Sequence, residues 1–124
     1  MNKVKICFFG EHISNNSLEW PVRHFLTSVA VRDRAKILAC LKCLEELGFQ
    51  CPRVQLKQIV GKVWEIKINC YKSAYRLFYT TLTGPTIVLL HGFKKKSQKI
   101  PGKEIEIACK RIREVLQYEQ EYLR

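Results

Sequence analysis

Glu65 and Lys67 lie two residues apart in VWEIKIN, and Arg76 and Phe78 lie two apart in AYRLFYT. A third segment, TIVLLHGF, sets His91 and Phe93 at the same spacing and runs into Lys94, Lys95 and Lys96, with Lys99 and Lys103 before the next acid, Glu104. Side chains two apart share a face of a strand. If the three segments pair in register, one face offers Glu65, Lys67, Arg76, Phe78 and His91, bordered by Lys94, Lys95 and Lys96. Such a set suits RNA backbone chemistry, in which a ribose 2′-hydroxyl attacks the adjacent phosphate and the 5′-oxygen leaves. Charge grows on the phosphate and on the leaving oxygen, and fixed guanidinium and ammonium groups stabilise it without a metal.

Arg76, on a central strand, is the best phosphate clamp. The proton-transfer group stays open between Glu65 as base, a lysine depressed by neighbouring cations, and His91 as acid. Phe78 offers a face for stacking an unpaired base, and Lys94, Lys96 and Lys99 extend the positive border. Each residue also has a structural use. Glu65 can pair with Lys67 or Arg76 across the sheet, His91 can pack beside its apolar strand, and Phe78 becomes core if the C-terminal helix covers it. The lysine block can simply be a solvated strand end that resists aggregation. Its lack of compensating acids points instead to a phosphate ligand.

The elements that must position these groups are legible in the periodicity. KVKICFF, Lys3 to Phe9, reads as a first strand, and Leu18 to Ser28 as a short helix with Pro21 in its first turn. Asp33 is a candidate cap for a second helix reaching Leu47, with Ile37, Leu38, Leu41, Leu44 and Leu47 at helical spacing and Gly48 as its stop. Beyond Pro52 the period changes to two, and Val63 to Asn69, Ala74 to Thr80 and Thr86 to Phe93 read as an antiparallel meander with short turns. Lys103 to Tyr122 closes the chain as an amphipathic helix. The expected class is α+β: an N-terminal strand and a two-helix hairpin on a twisted antiparallel sheet, then a C-terminal helix. Trp64, Ile66 and Ile68 should face the hairpin, with Leu90 and Gly92 turned away from His91.

Length and composition set the frame. At 124 residues and 47% hydrophobic content, the chain makes one domain, 1–124, with one modest core. Twenty-two basic against eleven acidic residues give a formal charge of +11, which selects polyanionic partners. No apolar run is long enough to span a bilayer and no signal-peptide pattern is present, so a soluble cytoplasmic protein is expected. Six cysteines without a secretory signal point to reduced thiols. Cys40 and Cys43 form a CxxC on a helix with no second pair to complete a zinc site, so both read as core residues. No cofactor or metal is implied.

The order of these elements, with the motifs VWEIKI, YRLFY and IVLLHGFKKKSQKIP, resembles the RelE/ParE superfamily of toxins from type II toxin-antitoxin systems, and within it a phage-derived, HigB-like branch. The resemblance runs from the first helix to Arg111. It implies a ribosome-dependent mRNA endonuclease, inhibited by a cognate antitoxin, commonly a HigA-like helix-turn-helix protein through which the complex reaches operator DNA. Under that resemblance Arg76 holds the scissile phosphate, Lys67 is the basic residue of the preceding strand, and Lys95 or Lys94 is the one beyond the last strand. Glu65 departs from the pattern, replacing a proton-transferring lysine of RelE-type members, and no tyrosine follows the lysine block until Tyr118. ParE-like members instead inhibit DNA gyrase by binding, and a non-catalytic nucleic-acid-binding module would explain the charge equally.

Overall fold

The computed structural model describes residues 3–99 and 101–124. Its centre is the expected meander: β3 (Val63–Asn69), β4 (Ala74–Leu82) and β5 (Thr86–Lys95), each antiparallel to the next. Two further strands flank it. β2 (Gln55–Val60) lies antiparallel to β3 at one edge, and β1 (Lys5–Phe8) lies parallel to β5, in the order β1-β5-β4-β3-β2. The sheet is therefore mixed and not wholly antiparallel, because the chain passes through two helices before returning to the sheet. β2 escapes sequence reading for a simple reason: none of its residues is buried, so QLKQIV carries no apolar period.

α1 (Pro21–Thr27) and α2 (Val31–Leu47) cover one face of the sheet. Val22, Leu26, Ile37, Leu41 and Leu44 pack there with Ile66, Ile68, Leu77, Tyr79, Ile87 and Leu89. The close approach of α1 depends on Gly92, where an added Cβ would sit 2.7 Å from a ring carbon of Phe25 and 2.9 Å from Leu77. α2 begins ahead of Asp33, after Ala30 and without a side-chain cap. Asp33 is otherwise engaged, since its carboxylate accepts a 2.6 Å hydrogen bond from the Tyr75 hydroxyl. That bond to the neutral phenol, with burial adding to it, raises the Tyr75 pKa.

The cysteines divide in a way the sequence reading did not foresee. Cys40 is buried core, but Cys43 is disulfide-bonded to Cys51. A single 3-10 turn over residues 48–50 folds the chain back on the end of α2, leaving the two Cα atoms 6.1 Å apart, within bridging range. The expectation of six reduced thiols is corrected for this pair. Cys7, Cys40, Cys70 and Cys109 are free.

α3 (Gly102–Gln117) and α4 (Glu119–Tyr122) close the opposite face. The expected single helix breaks at Tyr118, whose φ of −114° and ψ of 31° interrupt it. Ala108, Ile112, Val115 and Tyr122 pack on Phe78, Val88, Leu90 and Phe93. Leu90 thus lies on the α3 side, contrary to the alternation expected for it. Phe78 pairs with His91 but Tyr79 with Leu89, so Leu90 is an extra, bulged residue that resets the side-chain parity.

The chain end is pinned to the start of the fold. The Tyr122 hydroxyl accepts from Gly10 N–H at 3.1 Å and contacts His12 Nδ1, while His12 Nε2 meets Glu114 Oε2 at 2.6 Å. Lys5 Nζ donates to the carbonyls of Tyr122, at 2.9 Å, and Arg124. Tyr122 is 1% exposed. Tyr122→Phe, which strands the Gly10 donor, should cost about 1–3 kcal/mol, read as a lower urea midpoint at unchanged slope. Among the described residues, no helix is long and apolar enough to cross a membrane.

Candidate nucleic-acid interface

Register settles which side chains meet. Across the α3-side face, Lys67, Arg76 and Phe93 stand in one row, and Glu65, Phe78 and His91 in the next. One row the other way, Asn69 and Lys95 both stand opposite Ala74. Lys95 is therefore on the Arg76 face and inside β5, while Lys94, opposite Tyr75, points to the hairpin side. Of the two lysines that the resemblance allows beyond the last strand, Lys95 is the one on the Arg76 face. Lys96 and Lys99 are exposed beyond the strand.

The expected open face is covered. Phe78 is 0% exposed and Glu65 1%, and Phe78 meets the Phe93 ring edge-on at 5.2 Å. Phe78 presents no free ring to a base in this state, because α3 occupies the space above it. Lys67, His91 and Lys95 are half-buried, Lys94 is exposed, and Arg76 is buried.

Arg76 is held by its own strand and the end of β3. One terminal nitrogen donates to the Tyr75 carbonyl at 2.9 Å and to Asn69 Oδ1 at 3.4 Å. Its Nε lies 3.6 Å from Glu65 Oε2, close enough for ion pairing and too long for a hydrogen bond. Both atoms are buried without a hydrogen-bond partner. Unsatisfied buried groups of this kind are uncommon and costly. Lys67 stands directly opposite Arg76, a like-charge cross-strand pair that destabilises a sheet and that Glu65 offsets from the Arg76 side.

His91 Nε2 meets Glu104 Oε1 of α3 at 2.6 Å, and the ring stacks on Phe93 at 5.7 Å. Burial lowers its pKa, against the upward pull of Glu104 and with a smaller downward push from Arg111. The sign for stability follows. Below the ordinary imidazole value of about 6.5 the unfolded chain takes up a proton that the folded ring resists. Stability is full above that value and falls as pH drops through it toward the lowered folded pKa. Relative to a His91→Asn variant, the parent should lose urea stability between pH 7.5 and pH 5.5; equal losses would show that His91 is not held neutral.

The sequence reading missed Asn69, which orients Arg76, and Arg111, whose guanidinium donates to the Leu90 carbonyl at 2.7 Å and lies 5.3 Å over the Phe9 ring. It also passed over His12 and His24. Asn69 was findable, since it ends the strand two residues after Lys67 on the same face. Among the described residues, no cluster of three His, Cys, Asp or Glu side chains could hold a metal ion. Three of the free thiols are poor nucleophiles: burial pushes Cys7 up to about 11 and raises Cys40 and Cys70 as well.

These features define a small basic α+β domain whose sheet gathers cations on a face closed by its last long helix. The chain belongs to the family described as Phage derived protein Gp49-like (DUF891), which it matches over residues 24–113. That family is phage-derived and toxin-like, and is related to the RelE/ParE-type toxins. The match runs from within α1 to within α3 and contains every residue of the cation rows. No curated protein matches the chain.

Proposed function

We propose that this chain is the toxin of a type II toxin-antitoxin system, of the HigB-like branch, and that it cuts messenger RNA on the ribosome by metal-independent attack of the 2′-hydroxyl. The observation that carries the reading is the direct pairing of Lys67 with Arg76, with Lys95 one row away on the same face. Cations opposed in this way lower stability; the Glu65 carboxylate offsets Arg76 only through a contact too long for a hydrogen bond, and an anionic phosphate between the two cations offsets both. Arg76 and Lys95 then stabilise charge on the phosphate, with Lys67 assisting. Glu65 and His91 are the candidate proton-transfer groups. At 1% exposure Glu65 meets substrate only if α3 lifts, so activity is gated by that helix. The partner is a HigA-like antitoxin with a helix-turn-helix, and the site of action is cytoplasmic.

The test is induction of the parent chain and of Lys95→Ala in bacterial cells, with mRNA 5′ ends mapped within minutes. New ends inside translated frames should appear with the parent. Lys95→Ala should produce them about 10²–10³-fold more slowly, the usual loss on removing one transition-state donor. Growth arrest without new ends would replace the nuclease with a ParE-like inhibitor that acts on gyrase by binding.

A further inference from the structure

The parallel pairing of β1 with β5 stops at Phe8 and Leu89, where β1 ends and the chain turns through Gly10 at a φ of 109°. From Leu90 to Lys95, β5 has β4 on one side and no strand on the other among the described residues. At this open edge, a groove of about 850 Å³ runs between α1 and α3. Pro21, Phe25 and Leu18 give it an apolar side, and His24, His91 and Arg111 a side of ring and guanidinium nitrogens, with Gly92 between; Ser28 and Glu19, whose carboxylate accepts from the Ser14 hydroxyl, complete the lining. The size falls within the usual range for small-molecule sites.

Arg111 is the unusual member. It is half-buried and has no ion-pair partner within 4.0 Å among the described residues; its guanidinium donates to the Leu90 carbonyl and lies over the Phe9 ring, and the Glu114 carboxylate acts on its charge from beyond that distance. One terminal nitrogen binds the carbonyl, leaving the rest of a five-donor fork with no carboxylate within 4.0 Å among the described residues, in a groove that also holds two imidazoles and the Glu19 side chain. A guanidinium in that state is a ready site for a phosphate oxygen. The apolar side suits a planar base, since unpaired bases are held by aromatic and apolar faces. His91 belongs to both places: it lines the groove and shares the row of Glu65 and Phe78.

We infer that this groove binds one nucleotide of single-stranded RNA, its phosphate on Arg111 and His24 and its base against Phe25 and Pro21, beside the position of the cleaved bond. The inference rests on the nuclease reading for its ligand and assigns a second binding place, outside the Lys67, Arg76 and Lys95 cluster. His24 is exposed on the last turn of α1, so it can be removed without disturbing the core.

The test uses the purified full chain and a 2′-O-methyl RNA hexanucleotide of mixed sequence, which cannot be cleaved by 2′-hydroxyl attack. Imidazole resonances report the site, with buried His12 as the internal control, and adenosine 5′-monophosphate tests whether a free nucleotide suffices. His24 and His91 resonances should shift with both ligands while His12 stays still. His24→Ala and Arg111→Met should each weaken hexanucleotide binding about 5- to 10-fold, as read by fluorescence anisotropy. No selective shift, or an equal shift with polyglutamate, overturns the groove as a nucleotide site. If binding maps to the groove and no mRNA ends appear in cells, the groove stands and the nuclease reading fails. If cleavage persists at parental rate and affinity in both variants, the groove fails and the nuclease reading stands.

Discussion

Arg76→Ala should lose about 3–5 kcal/mol of unfolding free energy, because it leaves the carboxylate of Glu65 buried and uncompensated. Glu65 is 1% exposed, and its one ionic neighbour within 4.0 Å among the described residues is the Arg76 guanidinium. Loss of toxicity in that single variant would therefore confound folding with chemistry. The double variant Arg76→Met with Glu65→Leu separates them. Two apolar side chains of similar volume in place of an imperfectly bonded ion pair should restore or exceed parental stability, while cleavage stays lost because no phosphate clamp remains. Urea unfolding gives the first quantity and mapped mRNA ends the second. A single Arg76→Ala protein as stable as the parent would mean that the pair is not desolvated in solution. A folded double variant that still cuts at parental rate would take Arg76 out of the site.

Phe78→Ala comes next in size. The ring is fully buried, edge-on to Phe93 and 6.4 Å from the His91 ring, within the cluster that seats Ala108, Ile112 and Val115 of α3. Truncation should cost about 3–5 kcal/mol through lost burial and the cavity left behind. Phe78→Leu keeps most of the apolar volume and should fold with a smaller loss. If Phe78 only packs, the leucine variant cuts RNA at close to the parental rate. If the ring stacks a base after α3 lifts, cleavage falls while the urea midpoint barely moves, because leucine fills space and offers no aromatic face. The pair of substitutions thus reports whether gating by α3 exposes this ring during turnover.

Much of the architecture is legible in the sequence. The meander came from period-two alternation in Val63 to Asn69, Ala74 to Thr80 and Thr86 to Phe93, and the structure moves its boundaries by two residues at most. The hairpin came from the helical spacing of Ile37, Leu38, Leu41, Leu44 and Leu47, of which Ile37, Leu41 and Leu44 are buried while Leu38 and Leu47, on the flanks of that stripe, are exposed. The extension of β5 to Lys95 was less visible, because lysines interrupt the apolar run while the backbone pairing continues opposite Tyr75 and Ala74. Asp33 resembles a helix cap in sequence and instead serves a tyrosine 42 residues away, a choice local patterns do not encode.

By itself, the sequence determined the types of every element but β2 and the break before α4, the charge that selects polyanions, and the sharing of one strand face by Glu65 with Lys67 and by Arg76 with Phe78. Those follow from local periodicity and side-chain chemistry, which depend on a few neighbouring residues. Only the tertiary structure decided that Lys95 and not Lys94 joins Arg76, that Leu90 is a bulge, that Cys43 reaches Cys51, and that α3 covers Glu65 and Phe78. It also decided where the open edge of β5 meets His24 and Arg111. Each of these is a relation between segments distant in the chain, set by register and by which face a helix finds to bury, and no local pattern carries that information.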